Sequence, residues 1–327
     1  MARFKGGYNI GLAGRPTSRV VDLPVPSRLV LPLASRCFRF GDIRVEEGAR
    51  VSAGTVLATD PERFSAPLIA AYGGTVRLDR VADHLVLESL DGASPGGSSG
   101  GSQADARDRL VSLGAWRFII DARTDLPMDP AATANDVIVS TVHLEPFVAS
   151  ADAVLKGRLD SFVRGLDHLH KLATDGTVHV AVADDAEFAA ELAVLITEHS
   201  WCRLHTVIAR YPSGHPLLIL RALGLGRDPE RPVWAIGTAG VLAIERALSS
   251  GAPSVERLIA LGGPAVSEPV HLKAVIGYPI DEILENRLCH DDVRVVSGGI
   301  FSGSDVPREA SGLDAECEGL TVLRELG

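Results

Sequence analysis

Short apolar stretches separated by glycines dominate the first third of the chain. From Leu29 to Ser89 the apolar stretches are short, and within Val45–Leu57 short apolar pairs alternate with turns at Gly48 and Gly54. Short strands with glycines at their corners are typical of a small barrel or sandwich. The pattern therefore predicts an all-β region, which we place at residues 29–92.

The spacing of glycines and apolar residues in this region resembles that of biotinyl and lipoyl domains, which have the barrel-sandwich hybrid fold. Those carriers modify a lysine at the tip of a hairpin. The matching turn here, Asp60–Phe64, contains no lysine. We therefore expect the fold without the carrier function.

The middle of the chain alternates strand-like and helix-like runs. Asp136–Ser140, Val178–Ala183 and Leu204–Ala209 are short apolar stretches, and Ala153–Leu172 has apolar residues at helical spacing. This alternation predicts βαβ units and a largely parallel sheet over residues 107–210. Because no G-x-G-x-x-G motif opens a helix, the pattern predicts a Rossmann-like layer without a dinucleotide-binding loop.

Ile208–Gly214 ends the third of these strands. Pro212 and Pro216 restrict the backbone and lack N–H donors, so neither a strand nor a helix is expected to pass through. We interpret this stretch as an ordinary turn or as a hinge between domains. The short strands and single main helix beyond it predict a β-grasp outline.

Together these patterns predict an α+β multidomain chain. The expected parts are an extended N-terminal segment at 1–28, a barrel-sandwich hybrid domain at 29–92, a flexible Gly/Ser linker at 93–106, a Rossmann-like α/β domain at 107–210, a β-grasp (SLBB-like) domain at 211–304 and a C-terminal segment packing back at 305–327.

Composition narrows the function classes. The chain has 32 basic and 42 acidic residues and a formal net charge of −10, which argues against a nucleic-acid partner and a polybasic membrane anchor. No apolar run approaches the ~20 residues of a bilayer-spanning helix. The N-terminal residues lack the apolar core of a signal peptide. We therefore expect a cytoplasmic protein. The four cysteines form no C-x-x-C pair, so we expect no bound metal or cluster.

A colinear set of short motifs carries a family resemblance. These motifs are Lys5–Gly7, Leu113–Trp116, Tyr211–Gly214, Gly262–Val266, Ile276–Ile280 and Val296–Gly303. The set resembles the A-type subunit of the sodium-translocating NADH:quinone oxidoreductases (Nqr) and is similar, more distantly, to the C-type subunit of the Rnf ferredoxin:NAD oxidoreductases. The resemblance covers nearly the whole chain.

Departures from these families refine the prediction. The chain lacks the glycine-rich flavin/NADH loop and the C-x-x-C-x-x-C motifs of the Rnf protein, which favours the Nqr type. It also lacks the Arg-Pro-Phe expected near Trp116, and it ends before the C-terminal helical segment of the Nqr protein. We therefore expect a relative shortened at the C-terminus.

The resemblance implies a peripheral subunit held at the inner face of the cell membrane by partner subunits, with no turnover alone. Flavins and NADH are expected on those partners, with ubiquinone as a ligand of this chain. The implied quinone contacts lie at Leu31–Phe40 and Trp116–Arg123. A quinone needs an apolar slot and a few polar donors; the candidates are Arg36, Cys37, Phe38, Arg39, Trp116, Phe118 and Arg123.

Other interpretations of these residues stay open at this point. The aromatic rings could equally be core residues and the arginines solvated, and Cys37 is expected to behave as a small buried hydrophobe. Tyr211 and His215 are either proton donors to a reduced quinone or hinge residues. The rival functions are an Rnf-like electron-entry protein that binds NADH and flavin, and a non-catalytic scaffold that docks redox subunits.

Overall fold

The computed structural model describes residues 6–79, 83–97, 106–174, 176–228 and 231–325. The chain is a mixed α/β multidomain protein and divides into two compact units. We call them the α/β unit, which comprises Met1–Ile10, Ser98–Leu144 and Ser150–Ser254, and the β-rich unit, which comprises Gly11–Gly97, Glu145–Ala149 and Val255–Gly327.

The secondary-structure elements are numbered here in chain order. The strands are β1 (Val20–Asp22), β2 (Leu29–Pro32), β3 (Asp42–Ile43), β4 (Arg50–Val51), β5 (Val56–Asp60), β6 (Ala66–Ile69), β7 (Gly74–Asp79), β8 (His84–Glu88), β9 (Ile120–Asp121), β10 (Asp136–Ser140), β11 (Thr177–Ala183), β12 (Cys202–Val207), β13 (Trp234–Gly237), β14 (Glu256–Gly262), β15 (Val270–Val275), β16 (Val293–Ser297), β17 (Ser304–Val306) and β18 (Gly319–Arg324). The helices are α1 (Ala106–Ser112), α2 (Ala151–Leu155), α3 (Leu159–Leu172), α4 (Ala189–Leu195), α5 (Pro216–Leu223), α6 (Thr238–Ser250) and α7 (Ile280–Leu284), with a 3₁₀ turn at Trp116–Phe118.

A five-stranded sheet in the order β12-β11-β10-β13-β9 forms the centre of the α/β unit. The first four strands are parallel, and β9 is antiparallel to β13. The predicted strands at 136–140 and 178–183 are thus confirmed, and the third strand lies at Cys202–Val207. The mostly apolar, buried sequences of β10 and β11 fit strands that are covered on both faces, whereas the edge strand β12 contains Arg203, His205 and Thr206 and is partly exposed.

Two groups of helices accompany this sheet. Helices α3 and α6 pack against each other, and α6 also contacts β10 and β13. The predicted helix over 153–172 is two helices, α2 and α3, separated at Lys156-Gly157-Arg158. Helix α5 packs against β10, where its Ile219 and Leu220 join Ile138 in one apolar cluster. Amphipathic helices against a sheet are the usual way to bury its apolar faces.

The expected domain boundary at residue 210 does not coincide with the edge of a compact unit. Strand β13 hydrogen-bonds to β10, so this strand and helix α6 belong to the sheet of the α/β unit rather than to a separate β-grasp domain. The proline-containing turn lies inside the α/β unit between β12 and α5. It is therefore not a hinge between the two units, because local sequence marks a chain reversal but not the sheet in which the next strand pairs.

The β-rich unit contains three sheets. They have the orders β2-β8-β7-β4, β3-β5-β6 and β1-β15-β14-β18-β16-β17. The first two are antiparallel, and the third is mixed because β1 runs parallel to β15 and β14 runs parallel to β18.

One hydrophobic cluster connects the parts of the β-rich unit. It contains Leu31 and Leu85 from the first sheet, Leu57 from the second, and Leu272 and Leu320 from the third, all with 0% exposure. Strands from the N-terminal and C-terminal segments also belong to the mixed sheet of this unit. β1 extends the mixed sheet at one edge, and β18 is an inner strand between β14 and β16.

Candidate functional site

The first predicted quinone segment forms a tight turn in the β-rich unit. The Ser35 N–H donates to Phe38 O at 2.9 Å, and the Phe38 N–H donates to Ser35 Oγ at 3.2 Å. The Phe38 ring is 0% exposed, stacks on Phe40 and meets Phe64 edge-on, each with centroids 6.0 Å apart. Phe38 is thus a core residue, and its ring offers no open face to a ligand.

The neighbours of Phe38 have different environments. Arg36 and Arg39 are exposed, and the Arg39 N–H donates to Asp60 Oδ2 at 2.8 Å. The Cys37 N–H donates to Glu316 Oε2 at 2.9 Å. Burial, reinforced by the Glu316 carboxylate, raises the pKa of the Cys37 thiol to about 11. The thiol is therefore protonated at neutral pH, which argues against a nucleophilic or redox role for it.

The second predicted segment begins in the core of the α/β unit. Trp116 is 0% exposed, and its indole N–H donates to Met128 O at 2.8 Å. Its ring meets Trp234 edge-on at 5.5 Å between centroids, and the Arg107 guanidinium lies 5.7 Å from the centre of the Trp116 ring. This environment satisfies the indole entirely within the protein. Phe118, by contrast, is half-buried.

Arg123 holds a loop of the α/β unit. Its Nη2 donates to the carbonyl oxygens of Gly226 at 3.2 Å, Asp228 at 2.6 Å and Arg231 at 2.9 Å. The side chain also lines a pocket of about 610 Å³ beside the end of α5. The structure therefore places this predicted quinone residue at a pocket.

Tyr211 and His215 lie in one turn, where their contacts stabilise the local backbone. The backbone of Tyr211 exchanges two hydrogen bonds with Tyr8, and the Tyr211–Pro212 peptide is cis. His215 is the residue before α5, and its Nδ1 accepts from the Leu217 N–H at 3.2 Å. This is a helix N-cap interaction. None of these contacts joins the His215 ring to a second titratable side chain, so they do not support the predicted role as a proton donor.

The structure separates the predicted residues into two sets. Arg36, Cys37, Phe38 and Arg39 lie in the β-rich unit, whereas Trp116, Phe118 and Arg123 lie in the α/β unit with Tyr211 and His215. Within each set, the fully buried ring and the arginines have different surroundings. The local sequence did not reveal this, because an apolar–basic alternation is compatible with both a ligand slot and a core edge.

A topological switch point that the sequence prediction missed lies at the carboxyl ends of β10 and β13. The first parallel strand of the chain, β10, has β11 on one side and the fourth, β13, on the other, so the strand order reverses here. Ligands of open α/β sheets bind at such a position. The Thr238 hydroxyl, at the start of α6, is 3.3 Å from His143 Nε2.

The proline-containing turn packs against the carboxyl end of β10. The Ser140 hydroxyl donates to Gly214 O at 2.8 Å, and a Cβ at Gly214 would lie 2.0 Å from Val142 O. Only glycine permits this backbone approach. The sequence signal was present as a strand followed by Gly237-Thr238 and a helix, but strand order alone identifies which strand ends are adjacent.

A second missed cluster lies on the sheet of the α/β unit. His179 Nε2 is 3.1 Å from Asp136 Oδ1, and His179 Nδ1 is 3.0 Å from His205 Nε2. Burial lowers the pKa of His179, and burial together with the neighbouring His179 and Arg203 lowers the pKa of His205 to about 4. Both imidazoles are therefore neutral at neutral pH. These residues come from three strands, so sequence spacing does not predict their meeting.

Two other kinds of feature are missing from the described ranges. Within them, no group of three or more His, Cys, Asp or Glu side chains is placed to hold a metal ion. In that same part of the chain, no helix has the length and apolar character needed to cross a bilayer.

Two family models match this chain in the order expected for one protein. The model described as the NqrA second alpha/beta domain matches residues 101–253, and the model described as the NQRA C-terminal domain matches residues 258–308. This chain belongs to the NqrA family. The first match ends three residues beyond α6, in agreement with the sheet pairing that places β13 and α6 in the α/β unit.

Curated relatives agree with membership in the NqrA family. The A subunit of the Na(+)-translocating NADH-quinone reductase of Neisseria meningitidis serogroup A is 28% identical over 319 residues, which cover 93% of this chain and 69% of that protein. The protein of the same name from Serratia proteamaculans is 26% identical over 326 residues, which cover 94% of this chain and 70% of that protein.

A solved structure shows a similar fold at low sequence identity. It is titled "Crystal structure of NAD+-reducing [NiFe]-hydrogenase in the air-oxidized state", and the match has a TM-score of 0.51 and 13% identity. The match covers 83% of this chain and 60% of that chain. At this identity the likeness concerns the fold alone, because one fold supports many functions.

Proposed function

We propose that this chain is the A-type subunit of a multi-subunit, sodium-translocating NADH:quinone oxidoreductase. The observation that carries the proposal is the pair of NqrA family matches in order, at 101–253 and 258–308. Relatives named as the A subunit of this reductase align over 93% of the chain. In this proposal the chain contributes to quinone binding and to electron transfer by the complex, and has no turnover alone.

We further propose a finer assignment of the fold. The antiparallel sheets within 29–92 are compatible with a barrel-sandwich hybrid domain, and the strand order of the α/β unit is compatible with a Rossmann-like domain that extends to about residue 253. The mixed sheet around α7 corresponds to the β-grasp (SLBB-like) domain. This assignment moves β13 and α6 from the β-grasp domain to the Rossmann-like domain.

Quinone contact is proposed for the polar and half-buried members of the predicted set. Arg36, Arg39, Phe118 and Arg123 have exposed or half-buried side chains. A guanidinium stabilises the negative charge that develops on a quinone oxygen during reduction. Phe38 and Trp116 are fully buried, so in this proposal they support the contact segments without touching the ligand.

Cofactors and location follow from the same proposal. Flavins and NADH are assigned to partner subunits, because the sequence lacks a glycine-rich flavin/NADH loop. The chain is placed at the inner face of the cell membrane and is held there by those partners. Ubiquinone is the ligand that it is proposed to share with the complex.

The test is a titration of the purified protein with ubiquinone-1 and, separately, with NADH, followed by tryptophan fluorescence. All three tryptophans lie in the α/β unit, so the signal reports on that unit. We expect saturable quenching by ubiquinone-1 and none by NADH. Arg123→Gln should weaken the quinone affinity, and Lys156→Gln, at the exposed position that follows α2, serves as the control.

Other outcomes of this titration favour the rival functions. Quenching by NADH, or a yellow flavin that co-purifies with the protein, would favour an Rnf-like electron-entry function. No response to either ligand, together with co-purification of the chain with membrane subunits on co-expression, would favour a scaffold that docks redox subunits.

A further inference from the structure

The pocket beside the end of α5 has a composition unlike that of the chain as a whole. Its volume is about 610 Å³, and its lining consists of Arg123, Leu217, Leu220, Arg221, Gly224, Leu225, Gly226 and Arg227. Of the described residues that line it, three are arginines and none is acidic. The chain as a whole has a net charge of −10, so this basic concentration runs against the average composition.

Two glycines shape the pocket. Gly224 ends α5 with φ of 69°, and Gly226 follows with φ of 66°, a region that favours glycine. A Cβ at Gly226 would lie 3.1 Å from both terminal carbons of Leu220 and 3.3 Å from Arg123 Nε. The loop therefore lies directly against the helix end, and the hydrogen bonds from Arg123 to Gly226, Asp228 and Arg231 hold it there.

The pocket has cationic groups available for a ligand. Arg221 and Arg227 are exposed, and within the described ranges neither guanidinium has a hydrogen bond or ion pair. Asp228, the acidic residue next to Arg227, faces Arg231, with 3.5 Å between Oδ2 and Nε. Guanidinium groups bind phosphate through paired hydrogen bonds, and one phosphate accepts from several of them.

The pocket also has an apolar wall. Leu217 and Leu225 are half-buried and Leu220 is buried, and all three line the pocket beside the arginines. An inorganic anion would leave this apolar surface in contact with water. A ligand that joins a phosphate to an apolar body uses both parts of the lining.

We propose that this pocket binds the phosphate of an amphipathic ligand, with Arg221 and Arg227 contacting the phosphate and Leu217, Leu220 and Leu225 contacting the apolar body. The phosphate belongs either to an anionic phospholipid in a membrane or to a soluble phosphate-bearing amphiphile. Arg123 is a positioning residue that holds the loop. The proposal does not depend on the oxidoreductase function proposed above.

The experiment measures binding by the full chain in three arms. Isothermal titration with inorganic phosphate and with dihexanoyl phosphatidate compares a bare anion with an amphipathic one. Co-sedimentation with phosphatidylcholine vesicles, with and without phosphatidylglycerol, tests for membrane lipid. We expect saturable binding of dihexanoyl phosphatidate that is tighter than that of inorganic phosphate, because the leucines contribute apolar contacts.

Variants separate the two parts of the pocket. The double substitution Arg221→Gln with Arg227→Gln should weaken phosphatidate binding at least about tenfold, since two charge-assisted contacts are lost. The matched double control, Lys156→Gln with Arg210→Gln, removes the same charge from exposed positions of the same unit and should change affinity less than about twofold. Leu217→Asn should weaken phosphatidate binding but leave inorganic phosphate binding unchanged.

The vesicle arm identifies the source of the phosphate. Sedimentation that requires phosphatidylglycerol and Arg221 with Arg227 supports a membrane lipid, and phosphatidate binding without sedimentation supports a soluble ligand. The proposal is overturned if phosphatidate does not bind saturably, or if the control double variant loses as much affinity as the pocket variant. Unchanged circular dichroism of each variant shows that the fold is intact.

Discussion

The two segments predicted to contact quinone combine the same residue types but use them differently. At 36–39 a buried phenylalanine is flanked by exposed arginines, and the turn is closed by its own backbone and Ser35. In the 116–123 segment a buried tryptophan lies in the core, and Arg123 donates to three carbonyl oxygens of a loop more than a hundred residues away.

This difference shows what an arginine next to an aromatic residue can mean. Arg39 leaves its guanidinium at the surface, so its charge is available to a partner or a ligand. Arg123 uses its Nη2 to hold a loop and also lines a pocket. The sequence pattern is shared because both segments cross from core to surface, and the role of each arginine depends on whether orphan carbonyl groups lie nearby.

The largest expected effect is the loss of stability on replacing Trp116, which tests whether this residue belongs to the core or contacts a ligand. Trp116→Ala should lower the free energy of unfolding by about 3–5 kcal/mol, because it removes a fully buried ring packed against Trp234. Phe118→Ala, at a half-buried ring, should cost clearly less. Urea unfolding followed by tryptophan fluorescence measures both, since Trp201 and Trp234 remain in the α/β unit. A smaller loss for Trp116→Ala than for Phe118→Ala would contradict its core position.

The next effect compares the two arginines directly. Arg123→Gln should destabilise the chain by about 1–3 kcal/mol, because it leaves carbonyl groups of Gly226, Asp228 and Arg231 without their charged donor. Arg39→Gln should stay within about 0.5 kcal/mol, as is usual at exposed positions. The measurement is the urea midpoint of each variant by circular dichroism. Equal effects in the two variants would remove the contrast between the segments.

The smallest expected effect is the loss of folding stability in acid that arises from His205. The pKa of His205 is about 4 in the folded chain, below the ~6.5 of an unfolded histidine. Between these two values the unfolded state binds more protons, so stability is flat above about pH 7 and falls as pH decreases towards 4. Because His205 is half-exposed, we expect a loss of only about 1–2 kcal/mol over this range. The pKa of His179 is lowered in the same direction.

His205→Gln isolates this contribution from carboxylates that titrate in the same range. The parent protein should lose more stability than the variant between about pH 7 and about pH 5 in urea unfolding followed by tryptophan fluorescence. The fluorescence follows the α/β unit, which contains His179, His205 and all three tryptophans. Parallel stability curves for parent and variant would show that the histidine pair does not couple folding to protonation.

Several elements were predictable because their signals are local. The strands at 136–140 and 178–183 are short apolar runs that end in polar residues, and α6 is an amphipathic stretch that ends at Gly251 in the left-handed conformation. Helix α5 was missed, although Pro216 at its first turn is favourable for a helix start. Its mostly apolar sequence has no clear helical face, and the two prolines nearby suggested a longer break.

The candidate sites were less predictable than the strands. The sequence marked Arg123 as a ligand contact, and the structure places it at a pocket, but its three carbonyl partners could not be read from the sequence. The histidine pair with Asp136 and the Thr238–His143 contact join residues that are 26 or more positions apart in the chain. Such contacts depend on strand order and register, and a one-residue shift in register would turn each side chain to the opposite face.

Local signals were sufficient to identify the family, the β-rich first third, the alternation of strands and helices in the middle and the positions of the main turns. These features arise from short-range periodicity, proline and glycine geometry, and short colinear motifs. Long-range packing, in contrast, determines that β13 returns to pair with β10, that β18 becomes an inner strand, and that Trp116 and Phe38 are core residues. Pairing and burial depend on which distant surfaces meet, and this information is spread over the whole chain.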